Sequence, residues 1–332
     1  MPVPASYALF VPFASAAITY TLIAWMLGPH GLRLPLDSPN ERSLHSVPIP
    51  RVGGVAIVAT VLAAGLALGA SPVLLATTLV LAGVSFLDDR GGLPARARLV
   101  IHALAAAVWL WVELAATPFW LLALFFLAIV WVTNLYNFMD GMDGLAGGMA
   151  LFGFAAYALA FWLGGNTAAA LLSASVAAAS AVFLRFNFHP ARVFMGDAGS
   201  IPLGFLAVTL GLEGWRDGTW PLWFPLVVFS PFIVDASATL AQRVARKETF
   251  WRPHRTHYYQ RLVQLGWGHR NTALAEYALM AGCGVTALWA LGQPPTVQWV
   301  ALAAISLVYV ALTAAVDAAW RRHARTLDAR PS

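Results

Sequence analysis

Pro118-Phe-Trp-Leu-Leu-Ala-Leu-Phe-Phe-Leu-Ala-Ile-Val-Trp-Val-Thr-Asn-Leu-Tyr-Asn-Phe138 carries no charge and runs directly into Met139-Asp-Gly-Met-Asp-Gly144. A bilayer core about 30 Å thick takes roughly 20 apolar residues of helix to cross, so this stretch can span and delivers its acids to one interface. Outward from it, apolar runs of spanning or near-spanning length recur roughly over Ser6 to Gly28, Gly53 to Ala70, Ser71 to Leu87, Leu99 to Ala116, Leu145 to Gly164, Thr167 to Phe186, Ser200 to Leu212, Trp220 to Leu240, Thr272 to Gly292 and Pro295 to Ala318. The expected fold is an all-α integral membrane protein of about 11 transmembrane helices, with 1–332 forming a single polytopic domain. Ser200 to Leu212 is short for a straight span and would have to borrow length from the polar segments beside it.

Composition agrees. Of 332 residues, 60% are hydrophobic and 11% charged, with a mean hydropathy of +0.71, whereas a soluble domain carries about 25% charge. A net charge of +5 would suggest nucleic acid in a soluble protein, but here placement outweighs the sum, and no nucleic-acid partner is expected. With the N-terminus outside, every basic residue except Arg216 falls on one face. The positive-inside rule makes that face cytoplasmic and the topology N-out/C-in. The single Cys283 excludes an intrachain disulfide and a CxxC metal site. The first basic residue is Arg33, so the opening apolar run lacks the basic n-region of a cleaved signal and is expected to be the first span.

The acids mark the chemistry. All except Glu113, Glu213 and Asp217 fall on the Arg-rich face or at helix ends beside it, among them Asp88-Asp89, Asp140, Asp143, Asp197 and Asp235. Clustered carboxylates at a low-dielectric boundary are costly unless a cation or a basic partner compensates them, which points to a divalent-metal and phosphate site. Asn134, Asn137, Asp140 and Asp143 are spaced by three, but Gly141 and Gly144 offer breaks that would turn the acids inward. Asp143 could alternatively cap the next helix. In Phe194-Met-Gly-Asp197-Ala-Gly-Ser200 an acid sits between glycines just before an apolar helix, where free N–H groups suit a phosphate or a metal-phosphate complex. Hard oxygen ligands select Mg²⁺, with Mn²⁺ as a substitute, and Asp197 is the leading ligand. His254-Arg-Thr-His257 lacks a Cys or nearby acid to complete a zinc site, which favours phosphate contact or proton handling. His102 and His269 read as structural or interfacial.

Five ordered motifs carry a resemblance that covers most of the chain: Arg42-Ser-Leu-His45 with Pro50-Arg-Val-Gly-Gly54; Asp88-Asp89 with Leu93-Pro94; Asn137-Phe-Met-Asp-Gly-Met-Asp-Gly-Leu145; His189-Pro-Ala-Arg-Val-Phe-Met-Gly-Asp-Ala-Gly-Ser200; and His254-Arg-Thr-His257. Together they resemble the polyprenyl-phosphate N-acetylhexosamine-1-phosphate transferases, glycosyltransferase family 4. The resemblance implies a multi-pass enzyme of the bacterial cytoplasmic (inner) membrane, its active site in cytoplasmic loops and helix ends. Such an enzyme moves a sugar 1-phosphate from a UDP-N-acetylhexosamine to undecaprenyl phosphate and releases UMP. It further implies Mg²⁺ on Asp197 and roles for Asp88 and Asp89 in orienting or deprotonating the lipid phosphate. Asn137, Asp140 and Asp143 would line the nucleotide pocket with Phe194 stacked on uracil, and Arg42, His45, Arg51, His254, Arg255 and His257 would grip phosphates or sugar. A direct displacement and a covalent aspartyl intermediate both stay open, as does a homodimer.

The branch acting on UDP-MurNAc-pentapeptide usually carries three consecutive histidines in the last motif and a lysine in the first. Here stand His254-Arg-Thr-His257 and Arg42, closer to the O-antigen-initiating enzymes that use UDP-GlcNAc or dideoxy sugars such as FucNAc and QuiNAc. An ion-coupled transporter is the rival of another class, but transporters commonly bind near the midplane between internal repeats, whereas these acids gather at one surface. A CDP-lipid phosphatidyl transferase would need an Asp-Gly-x-x-Ala-Arg start, and the chain has none.

Overall fold

The computed structural model describes residues 8–28, 35–37, 48–248 and 254–328. Arg42 and His45 lie outside the described residues. Every expected span carries helix: α1 (Val11–Met26), α2 (Gly53–Leu68), α3 (Pro72–Gly91), α4 (Ala95–Glu113), α5 (Phe119–Phe138), α6 (Leu145–Leu163), α7 (Thr167–Asn187), α8 (Asp197–Arg216), α9 (Trp223–Val228), α10 (Ser230–Ala245), α11 (Tyr258–Leu262), α12 (Gly268–Leu291) and α13 (Pro295–Asp328). A two-residue ladder, β1 (Leu36–Asp37) against β2 (Ile49–Pro50), is the sheet among the described residues. Seven helical stretches are long and apolar enough to cross a membrane, and α1 and α2 are shorter apolar helices. The protein is an all-α integral membrane protein.

Three of the differences from the sequence reading change the shape of the bundle. The short eighth run is a full 20-residue helix, α8, that takes its extra turns from the polar segments on both sides. The ninth run is two helices, α9 and α10, meeting at Phe229, because Pro231 at the start of α10 has no N–H to continue the ladder. The last helix runs 34 residues, to Asp328, well past Ala318.

Burial explains why the order of hydrophobicity does not follow the order of depth. α8 is buried along nearly its whole length and forms the axis of the bundle, flanked by α3 and α5, with α2 against its first turn. α6 and α7 are also largely enclosed, whereas α3, α4, α5 and α13 leave Leu79, Trp111, Leu127, Trp299 and Leu307 exposed, as lipid-facing helices must. The interior admits close helix contacts only where side chains vanish. A Cβ on Gly54 of α2 would lie 2.3 Å from the Cα of Gly199 in α8.

The two ends of the bundle differ. At one end Ser71 donates to Glu113, Arg216 pairs with Glu113 at 2.7 Å and with Asp217 at 2.9 Å, and Asn166 donates to Asp217 at 3.2 Å. The other end holds Arg51, Asp88, Asp89, Arg98, Asn137, Asp140, Asp143 and Asp197.

Candidate active site

The first turn of α8 organises this second end. Gly196 has φ +74°, and a Cβ there would meet Asp89 Oδ2 at 2.9 Å, so only glycine lets the chain turn into α8 beneath the carboxylate. The N–H groups of Asp197 and Ala198, otherwise unpaired at a helix start, donate to Asp89 at 3.4 and 3.2 Å. The preceding strand-like segment is fixed by Phe194 N–H on Pro50 O, and by the N–H groups of Gly53 and Gly54 on Phe194 O and Met195 O, each at 2.8 or 2.9 Å. The motifs at Pro50–Gly54 and Phe194–Ser200 are therefore one structural unit.

Polar and basic side chains gather around Asp197. Asn137 donates to Asp197 Oδ1 at 2.8 Å and to Ser200 Oγ at 3.0 Å. Arg98 reaches Asp88 at 2.9 Å and Asp197 at 3.4 Å, and the Leu93 N–H also donates to Asp88. Arg51 pairs with Asp37 at 2.9 Å and lies 3.8 Å from Asp89, whose side chain is 2% exposed. Asp140, in the break between α5 and α6, is half-buried; burial first, then the Asp197 carboxylate, push its carboxyl well above the ordinary carboxylate range. With Asp140 held neutral by burial, the two guanidiniums still face four carboxylates, Asp37, Asp88, Asp89 and Asp197, an excess of negative charge that a divalent cation would offset.

Asp143 belongs to a second cluster. Its carboxylate lies 2.6 Å from His189 Nδ1 and 3.4 Å from His269 Nδ1, and accepts the Ala191 N–H at 3.2 Å. Burial raises its pKa, but these hydrogen bonds outweigh burial and hold it below the usual range. It does not cap α6. Gly144, at φ +79°, holds that place, and its N–H donates to Asn187 Oδ1 at 2.9 Å.

The third cluster is built on Asp235 of α10, which accepts from the N–H groups of Tyr258 and Tyr259 at 2.9 and 3.0 Å and lies 3.1 Å from His257 Nδ1. Asp235 therefore caps α11 and fixes one nitrogen of His257. The His254 ring lies 4.8 Å from that of His257, and burial followed by the nearby His257 lowers its pKa to about 4. Arg255 is exposed, and its carbonyl accepts from Gln264 at 2.9 Å. Tyr259 connects this cluster to the others, its hydroxyl donating to Phe138 O at 3.4 Å beside Gly141.

Comparison with known proteins gives these clusters a family. The family model described as Glycosyl transferase family 4 matches residues 71–214. An undecaprenyl-phosphate alpha-N-acetylglucosaminyl 1-phosphate transferase of Salmonella typhi is 30% identical over 317 residues, covering 86% of this chain and 84% of the relative. The chain belongs to glycosyl transferase family 4. A probable undecaprenyl-phosphate N-acetylglucosaminyl 1-phosphate transferase of Bacillus subtilis (strain 168) is 29% identical over 292 residues, 82% of each chain. A decaprenyl-phosphate N-acetylglucosaminephosphotransferase of Mycobacterium leprae (strain TN) is 28% identical, covering 83% and 81%.

For this family 4 protein, the structure brings together Arg51, Asp88, Asp89, Asn137, Asp140 and Asp197, and sets Phe194 in the segment bonded to Pro50 and Gly53. It places Asp143 and the pair His254 and His257 in separate, adjoining clusters. Sequence reasoning passed over Arg98, which bridges two of the aspartates; it read His269 as structural or interfacial and gave His189 no role of its own. No periodic signal marks them, since the Arg98–Asp197 and Asp143–His269 contacts join residues 99 and 126 positions apart.

Proposed function

We propose that this protein transfers an N-acetylhexosamine 1-phosphate from a UDP-sugar to undecaprenyl phosphate and releases UMP. The observation that carries the reading is the cluster at the start of α8, where Asp88, Asp89, Asp140 and Asp197 meet Arg51 and Arg98 at one end of a membrane-embedded bundle. Two anionic phosphates can approach one another there only if charge is compensated and geometry held, and in phosphoryl transfer positioning and electrostatics do most of the work. The names of the relatives above support GlcNAc as the transferred sugar. His254-Arg-Thr-His257 in place of three consecutive histidines argues against UDP-MurNAc-pentapeptide and for initiation of O-antigen or another surface polysaccharide. FucNAc and QuiNAc donors come next after GlcNAc.

The residues present fit Mg²⁺, because the donors are hard oxygens in negative excess and Asp197 keeps its side chain 25% exposed beside them. Asp197 would hold the ion, which when bound would neutralise the donor pyrophosphate. Arg98 orients Asp88 and Asp197, and Asp89 is fixed by the α8 amides. Asp88 and Asp89 would align the lipid phosphate or take its remaining proton, whose pKa near 6 demands little at neutral pH. Arg51 would draw phosphate towards the cluster. Asn137, Asp140 and Asp143 would form the nucleotide wall with Phe194 against uracil, and His254, Arg255 and His257 would contact phosphate or sugar. The distribution of basic residues supports a cytoplasmic site in the inner membrane.

The test is UMP release by purified protein given undecaprenyl phosphate, Mg²⁺ and UDP-GlcNAc, beside UDP-FucNAc, UDP-QuiNAc and EDTA. UMP that requires lipid and metal, and that is abolished in folded Asp197→Asn, is the expected result. No UMP from any of the three donors with folded wild-type protein would overturn the reading.

A further inference from the structure

Asp143, His189 and His269 come from three separate segments: the break between α5 and α6, the turn after α7 and the first turn of α12. Each offers one ligand atom, and these atoms all lie within 4.8 Å of one another. The Asp143 and His269 side chains are 7% and 12% exposed, and His189 opens the group to solvent at 43%. The two imidazoles stack with centroids 5.1 Å apart and turn Nδ1 towards the same carboxylate.

We infer that Asp143, His189 and His269 form a site for a single transition-metal ion of the Zn²⁺ type, distinct from the aspartate cluster at α8. The donor set is two imidazole nitrogens and one carboxylate oxygen, which suits Zn²⁺ or Co²⁺ and disfavours Mg²⁺. Ligands about 2.05 Å from a tetrahedral Zn²⁺ stand about 3.3 Å apart. His269 Nδ1 stands 3.4 Å from Asp143 Oδ1, which matches that spacing. His189 Nδ1 stands 2.6 Å from the other oxygen, Oδ2, so this most exposed of the three side chains must shift to share an ion with His269 and Asp143. The carboxylate is oriented by the Ala191 N–H, the kind of outer hydrogen bond that steadies a metal ligand. Water entering beside His189 supplies the fourth position. Imidazole binds a metal only when its ligating nitrogen carries no proton, so binding weakens as pH falls, and the ion ties the three segments into one rigid unit.

The experiment titrates the purified full-length protein with Co²⁺ in the presence of excess Mg²⁺ and follows the visible absorption of tetrahedral Co²⁺, with Zn²⁺ as competitor. One Co²⁺ per chain is expected, displaced by Zn²⁺ and not by Mg²⁺. His189→Gln and His269→Gln should each weaken binding by more than about tenfold, since loss of a ligand exceeds loss of an outer-shell partner. Asp197→Asn should leave the titration unchanged. Absence of the tetrahedral signal from wild-type protein overturns the inference whatever the variants do. So does a signal that survives in both histidine variants or disappears in Asp197→Asn.

Discussion

Gly54→Ala tests whether the closest approach in the bundle sets the position of Asp197. The added Cβ would stand 2.3 Å from Gly199 Cα, 2.4 Å from Gly199 N and 2.7 Å from Met195 O, all backbone atoms that no rotamer change can move. Carbon atoms rest about 3.5 Å or more apart, so α2 and the first turn of α8 must separate by about 1.2 Å. Overpacking of this kind costs about 1–3 kcal/mol, or roughly 2–4 °C of Tm per kcal/mol for a chain of this size. Asp197 lies two residues from Gly199, while Arg51 lies three before Gly54, so the displacement moves one against the other. A misplacement of about 1 Å costs on the order of 100-fold in rate. The assay is a thermal transition and kcat for UMP release, with Gly83→Ala as the control, because a Cβ at Gly83 meets nothing within 4 Å. Wild-type Tm and kcat in Gly54→Ala would refute the reasoning.

Arg98→Ala removes the bridge between Asp88 and Asp197. Each charge-assisted hydrogen bond is worth about 1.5–3 kcal/mol, and with Arg98 39% exposed solvent screening cuts that by roughly half, so kcat/KM should fall about 10- to 100-fold; a change under about threefold would count against it. Asp235→Asn and His257→Ala should give similar losses, and the double variant little more than either, because Asp235 acts by holding His257; additive losses in a double-mutant cycle would separate them. The His254 pKa is depressed to about 4, so its ring stays neutral in the folded protein at pH 5.5 while the unfolded chain begins to protonate near 6.5. Its contribution to stability is therefore lost as pH falls through the window from about 6.5 to about 4 and is flat below it, and NMR titration of the ring checks the value directly.

Much of this could be read along the chain because apolar length is local information. Pro118 to Phe138 ends as helix at Phe138, and the acids after it turn inward at Gly144, as its glycines suggest. Asp197 between Gly196 and Gly199 marks a helix start that the structure sets three residues before Ser200, where the apolar run begins. What could not be read depends on which helix lies beside which. The Arg98 bridge, the His269 contact and the Asp235 cap on α11 are meetings of distant segments and leave no spacing to detect. The break at Phe229 was hidden because Pro231 sits inside an otherwise continuous apolar run. Composition also misleads about depth, since α8 carries Asp197, Glu213 and Arg216 yet is the most enclosed helix, while the strongly apolar α13 lies largely exposed.

α8 is fastened at both ends, by Asp89 and Asn137 at its start and by the Glu113–Arg216–Asp217 group at its finish. A helix held in this way has little freedom to tilt when the surrounding lipid becomes thicker or thinner, and the adjustment passes to the loosely held outer helices. A 34-residue α13 is about 51 Å long against a hydrocarbon core of about 30 Å, which leaves it ample room to lean. Changes in acyl-chain length should therefore be felt at the rim of the molecule and leave the distances around Asp197 as they are.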